Sequence, residues 1–375
     1  MKRIYAYSFF AAAAITSFTV VDMLYFTGAG YSLAFVGTMF LVFNGTVSAA
    51  ELPLAVLFDR FSGTKVIYIG LVLRLAALAI FFVNPGEGWL LVAQLLAGIA
   101  VAALSGTIPA LIANSIEDQS IEGFASAYRI LDWMGGAGSV IGGVAGGLIF
   151  QVYPQGIWLS AIVFLAAGTI AMIGFRAPEA EVERTPLRGY LVKVLGVFKN
   201  HSMWVGCAAG TASVAPYILW QMRFAETSVP FVIVTFVSMY LVGLLSPAIQ
   251  RKVPVRRPQM VAVAVLNAVA MAGFALAPAG AWSFVTFMVH IVLQGVLSLM
   301  IGAYFQSQLT NDVRAASGSM SSLCNSLWVA LAAPIVTRVA QDQGAVTAML
   351  FAVVSFAVTA LIAALRPIGA AEASR

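Results

Sequence analysis

The side chains of this sequence that could do chemistry are few, and most are ionisable residues set inside long apolar runs: Asp22, Arg74, Asp132 and His290. A charge near the centre of a bilayer costs about 2.5 kcal/mol or far more, so such groups face a cavity or a partner. Asp22 follows about 18 apolar-rich residues, roughly 27 Å of helix. That carboxylate could take up protons, bind a cation, or reach interfacial water beside Tyr25. Arg74 lies at the middle of its run, where it could bind an anionic group or pair with Asp22 or Asp132. Arg129 and Asp132 are three apart and share a helix face, so they could neutralise each other. If Asp132 instead faces a cavity, Trp133 beside it offers an aromatic wall with cation–π character.

His290 and Gln294, four apart, share another face, and histidine is the side chain whose charge changes most readily near neutral pH. A hydrogen-bonded packing residue is the plainer reading of His290. Tyr217 and Trp220, with Asn325 and Trp328, form polar-aromatic sets that could line a cavity or anchor helix ends. The two cysteines, Cys207 and Cys324, lie in apolar runs without metal-ligand spacing. Neither a metal site nor a cofactor is expected, and no G-x-x-x-x-G-K-[ST] phosphate cradle occurs. An intramembrane hydrolase would need a clustered nucleophile, base or metal set, which the two histidines, His201 and His290, do not supply. No enzymatic activity is expected.

The elements that must hold these groups are membrane helices. Of the 375 residues 61% are hydrophobic and 9% charged, against roughly 25% charged in a soluble domain. The net charge of +5 does not point to nucleic acid, because Lys and Arg sit in short loops between spans. Apolar runs of about 20 residues, each able to cross about 30 Å of hydrocarbon, fall near 4–28, 31–57, 65–83, 89–113, 123–150 and 157–175. Six more fall near 202–222, 229–250, 259–277, 282–309, 318–340 and 346–365. The spacing predicts two six-helix domains, 1–176 and 201–375, joined by a polar linker over 177–200. With the N-terminus inside, Lys2, Arg3, Arg60, Lys65, Arg176, Arg184, Arg188, Lys193, Lys199, Arg251, Lys252, Arg256, Arg257, Arg314 and Arg366 fall in or beside inside loops. The positive-inside rule then puts both termini in the cytoplasm. Leu52-Pro53-Leu54-Ala55 ahead of Asp59, Arg60 and Lys65 is echoed by Leu245-Ser246-Pro247-Ala248 ahead of Arg251, Lys252 and Arg257. Internal repeats of this kind are the trace of transporters whose halves rock about a central site.

Glu51, Pro53, Asp59, Arg60, Gly63 and Lys65 between the second and third spans resemble the loop signature of the major facilitator superfamily. The resemblance implies an all-α membrane protein of the major facilitator fold, with two six-helix bundles related by pseudo-two-fold symmetry around a central cavity. It also implies that Glu51, Asp59, Arg60 and Lys65 act as a conformational latch. Gly138, Gly142, Gly143, Gly146 and Gly147 resemble the family's antiporter signature, with Gly143 where proline is usual, which points to export. Small residues at that spacing also let two helices approach closely. Gln94 stands where drug/proton antiporters of the family often carry an arginine, so a proton relay must use other residues.

The expected function is therefore secondary active transport, proton-coupled efflux of a small hydrophobic organic compound such as a drug or natural product. The alternatives are import of a small metabolite or peptide, and a transport-inactive sensor or scaffold. The expected partners are a small-molecule substrate, protons and the lipid of the inner (cytoplasmic) membrane, with the protein a monomer.

Overall fold

The computed structural model describes residues 1–58, 63–115, 121–175, 201–307 and 311–365. Among the described residues every regular element is an α-helix. Ten helical stretches are long and apolar enough to cross a membrane, and half or fewer of the residues in each are buried in the protein. Val72, Leu159, Val163, Leu266, Val269, Val354 and Leu361 are among the large apolar side chains left on the surface. Such a surface is stable only against lipid. The other two expected spans are occupied by the shorter apolar helix Gly156–Met172 and by the pair His201–Ala212 and Val214–Ala225.

The helices are α1 (Lys2–Thr19), α2 (Asp22–Gly28), α3 (Leu33–Phe58), α4 (Gly63–Val83), α5 (Glu87–Ser115), α6 (Ile121–Val152) and α7 (Gly156–Met172). There follow α8 (His201–Ala212), α9 (Val214–Ala225), α10 (Val229–Gly243), α11 (Leu245–Gln250), α12 (Arg257–Leu276), α13 (Ala281–Ser307), α14 (Asn311–Gln343) and α15 (Ala345–Leu365). Two compact units contain them. One comprises Met1–Tyr31, Met39–Thr185 and Val232–Val237, the other Ser32–Thr38, Pro186–Phe231 and Ser238–Arg375.

Three of the expected spans are broken, and each break has a local cause. Pro216 can give no hydrogen bond to the carbonyl of Ala212 and its ring crowds that carbonyl, so α8 ends there and α9 resumes after Ser213. Pro247 does the same to Gly243, the last residue of α10. In the first span the run Thr19, Val20, Val21 is β-branched and poor in helix propensity. Val21 leaves the helical region at φ −143° and ψ 11°, and Asp22 opens α2.

In the first unit α1 packs on α6 and α7, while α4 packs on α5 and α7. The α1–α6 contact is a glycine seam. A Cβ on Gly138, Gly142 or Gly146 would overlap the backbone of Phe9, Ala13 or Ser17 respectively, so both partners step by four residues along one ridge. Gly143 and Gly147, turned one residue round the same helix, accommodate Phe236 and Ile233 of α10. Near the N-terminus Arg3 donates to the Ile173 carbonyl at 2.7 Å and the Tyr68 hydroxyl to the Met172 carbonyl at 2.8 Å. These bonds occupy carbonyls that the end of α7 leaves open. At the opposite end Trp158 stacks on Phe18 and Phe81, with Tyr25 and Phe26 against it. There Tyr31 donates to Asn84 at 2.6 Å, and Asn84 terminates α4 with φ 48°.

In the second unit α12 packs on α13 and α15, and α8 on α13, α14 and α15. Phe224, Phe274 and Phe287 form a buried column that continues through His290 to Phe356. Arg223 pairs with Glu226 at 2.8 Å and donates to the Ala277 carbonyl beyond α12, and Arg257 donates to the Ala364 carbonyl near the end of α15.

The seam generates a stability prediction. Gly146→Val should destabilise the protein by about 1–3 kcal/mol through overpacking, lowering the thermal midpoint of the detergent-solubilised protein followed by tryptophan fluorescence. Gly136→Ala, on the same helix but with open space around it, should leave the midpoint unchanged or slightly raised.

Candidate functional site

Asp22 stands in the first turn of α2 at the break in the first span, half-buried, and its Oδ1 accepts from the Met23 amide at 2.9 Å. The dipole of a helix start favours a negative charge there. An unbroken helix would have placed the same carboxylate in mid-turn with no free amide to meet it. The break therefore explains how an acid is held inside an apolar run.

Arg74 is the tenth of the 19 residues in the span Lys65–Val83 and is half-buried. Among the described residues no ion pair joins it to Asp22 or Asp132, the partners considered from sequence. The Tyr7 phenol on α1 lies within electrostatic reach of it. Side chains in a helix lean toward its N-terminus, and α1 and α4 both start at the end of the unit where α7 stops. Tyr7 and Arg74 both follow from helix starts at that end of the unit. Tyr7 does not stand out in the sequence because one tyrosine near a helix start reads as an interface anchor.

Arg129 and Asp132 are both exposed and make no ion pair with each other, so the self-neutralising pair does not form. Trp133 is also exposed, at 68%. Near them Ala127 and Leu131 turn inward, onto Ile4. Asp132 and Trp133 are therefore accessible and lie on a different part of the unit from the inward ridge.

His290 is a buried packing residue: its Nδ1 lies 2.7 Å from Asn267 Oδ1, whose amide donates to Gln294 at 3.2 Å. Asn267 is the partner that sequence reasoning missed, although it is the one polar residue in the apolar stretch after Gln259 of α12 and so carried a signal. The buried Cys207 thiol lies within hydrogen-bonding reach of Trp328 and of Cys324, which ties α8 to α14. Asn325, exposed, is seated against Gly210, where a Cβ would come within 2.8 Å of its Oδ1. Of the expected latch, Glu51 is buried and Lys65 exposed, while Asp59 and Arg60 lie outside the described residues, as does the expected linker. Among the described residues no cluster of three metal-binding side chains occurs.

The family model described as Major Facilitator Superfamily matches residues 4–333. The chain belongs to that superfamily. Its fold is the major facilitator fold, and the protein is a multi-pass membrane transporter, not an enzyme. A comparison with curated protein sequences gives no match. Among solved structures, the chain is similar to the nucleoside transporter NupG, with TM-score 0.74 and 11% identity over 96% of each chain. It is also similar to a POT family transporter in complex with 5-aminolevulinic acid, with TM-score 0.78 and 10% identity over 100% of this chain and 96% of that one. A POT family transporter in complex with a thioalcohol-conjugated peptide gives TM-score 0.76 and 12% identity with the same coverage.

The buried network predicts a non-additive pair. His290→Leu should destabilise the transporter by about 1–3 kcal/mol, because it leaves the Asn267 oxygen buried without its partner. His290→Leu combined with Asn267→Leu should cost less than the two single changes added together. Thermal unfolding of the three variants measures this directly.

Proposed function

We propose that this transporter is a proton-coupled secondary carrier that exports a small, largely apolar organic compound by alternating access. Asp22 serves as the proton-binding carboxylate. The observation that supports this reading is the placement of Asp22 at the break of the first span, where an acid is held inside an apolar run against the amide of Met23. A carboxylate held this way can exist charged or neutral, and the difference is one proton carried per cycle. The glycine signature Gly138, Gly142, Gly143, Gly146 and Gly147 favours export. Asp132 and Trp133, both accessible, form an acid beside an aromatic wall that suits the apolar part of a solute. Asn325 and Trp328 make the corresponding polar-aromatic set in the second unit. Two six-helix bundles joined by the 177–200 linker, a latch of Glu51, Asp59, Arg60 and Lys65, a monomeric state, and a cytoplasmic membrane with both termini inside complete the reading.

Import of a small polar metabolite is the second reading. Its support is the likeness in fold to a nucleoside transporter and to POT family transporters holding 5-aminolevulinic acid or a modified peptide.

Everted membrane vesicles with an acidified lumen separate the two. Antiport export predicts uptake of compound in exchange for outward protons, and symport import predicts efflux of preloaded compound together with the outward protons. Asp22→Asn should lower gradient-driven accumulation at least tenfold while leaving downhill exchange of compound in place. Full gradient-driven accumulation in that variant would move the proton site to Asp132 or His290.

A further inference from the structure

The turn between α11 and α12 carries four cations, Arg251, Lys252, Arg256 and Arg257, and the proposed carrier cycle does not use them. The sequence has no acid between Glu226 and Asp312, and among the described residues none of the four forms an ion pair. The corresponding stretch of the first half sets an acid, Asp59, among its cations. Arg257 is half-buried and donates to the Ala364 carbonyl, while Arg251, Lys252 and Arg256 are exposed. The turn is folded by its own backbone. The Arg251 amide donates to Pro247 at 3.1 Å, Lys252 to Ile249 at 2.9 Å, Val253 to Gln250 at 3.0 Å and Arg256 to Pro254 at 2.9 Å. These bonds hold the charges in one compact turn. Arg256 is also the N-cap of α12 and provides no side-chain acceptor, so the positive end of that helix adds to the same field.

The surface beside the turn is apolar. Ser246 fixes α11 from within, buried against Gly295 and donating to the Val292 carbonyl of α13 at 3.1 Å. Leu245 and Ile249, four apart on one face of α11, are exposed, as are Val265, Leu266 and Val269 two to three turns into α12. The cations therefore stand where lipid-facing helix surface ends, at the level of the headgroups. The positive-inside rule accounts for basic residues in such a loop, but it requires neither an ordered turn nor the absence of acids. We propose that this turn binds an anionic phospholipid, with the phosphodiester held by Arg251, Lys252 and Arg256 and the acyl chains lying on Leu245 and Ile249. Basic clusters next to a membrane helix attract anionic headgroups, and arginine matches a phosphate with paired hydrogen bonds. The site depends on neither the transported compound nor the direction of transport, so its failure leaves the carrier reading untouched.

The test is native mass spectrometry of the detergent-solubilised protein titrated with dioleoyl phosphatidylglycerol or dioleoyl phosphatidylcholine. Wild type should bind the first phosphatidylglycerol about tenfold to a hundredfold more tightly than phosphatidylcholine. Combining Arg251→Gln, Lys252→Gln and Arg256→Gln should bring the two lipids to within about twofold. Combining Arg251→Lys with Arg256→Lys keeps the charge and should keep most of the preference. Arg338→Gln, at an exposed cation already paired with Asp342, should change nothing. Glycerophosphoglycerol, which is the headgroup without acyl chains, should not displace the lipid. Equal binding of both lipids by wild type, an unchanged preference in the glutamine variant, or loss of preference in the lysine variant overturns the proposal. An equal loss in Arg338→Gln would assign the preference to net charge, and displacement by glycerophosphoglycerol or inorganic phosphate would assign the turn to a soluble anion. Either result also overturns it.

Discussion

The first unit depends on the approach of α6 to α1. Inside a bilayer no hydrophobic force draws one apolar helix to another, since lipid tails are as apolar as leucine, so association rests on close van der Waals contact. Gly138, Gly142 and Gly146 allow that contact by bringing backbone against backbone at Phe9, Ala13 and Ser17. Everything else on α1 is placed by this seam. Tyr7 lies just below it and Asp22 just beyond it, so their positions relative to α4 and α7 are set by a row of missing side chains. Gly143 and Gly147 use the adjacent stripe of the same helix for Phe236 and Ile233, so one helix carries two independent contact faces.

Breaks in the helices are the second constraint. Each interruption frees backbone groups that lipid cannot satisfy, and these must be met by side chains or by a tightened local turn. Ser213 at the α8–α9 break returns its hydroxyl to the Ala209 carbonyl at 3.0 Å, and Asp22 meets the Met23 amide at the α1–α2 break. Similar local bonds recur along intact helices, as in Thr16 to Ala12 and Thr359 to Ser355, where a hydroxyl is buried at no cost in unpaired donors. The first span of each sequence half is thus discontinuous, by β-branching in one case and by proline in the other. Two different local causes yield a comparable pair of short helices.

What could be read in advance follows the range of the physics involved. The spans were legible because hydrocarbon thickness acts on runs of residues, and the glycine seam because a four-residue step is a property of one helix. The breaks at Ser213 and Leu244 follow from Pro216 and Pro247 by a rule spanning four residues, yet both spans read as continuous because hydropathy does not register a lost hydrogen bond. Pairings between helices were not legible. Asn267 meets His290 only because α12 and α13 pack at one register, and Cys207 meets Trp328 only because α8 lies on α14. Arg129 and Asp132 illustrate the converse: shared helical spacing brings two groups to one face, yet the two exposed side chains form no i,i+3 pair.

The buried polar groups divide by what satisfies them. His290 and Asn267 satisfy each other inside a column of aromatic rings, an arrangement that rigidifies the core, since any movement of α12 past α13 would strand both. Arg223 likewise satisfies its charge locally, with Glu226 and the Ala277 carbonyl. Arg74, at the centre of its span, is half-buried with the Tyr7 phenol within electrostatic reach. A guanidinium at that depth is costly away from water or a counter-charge, so the surroundings of its exposed side decide what the span costs to bury.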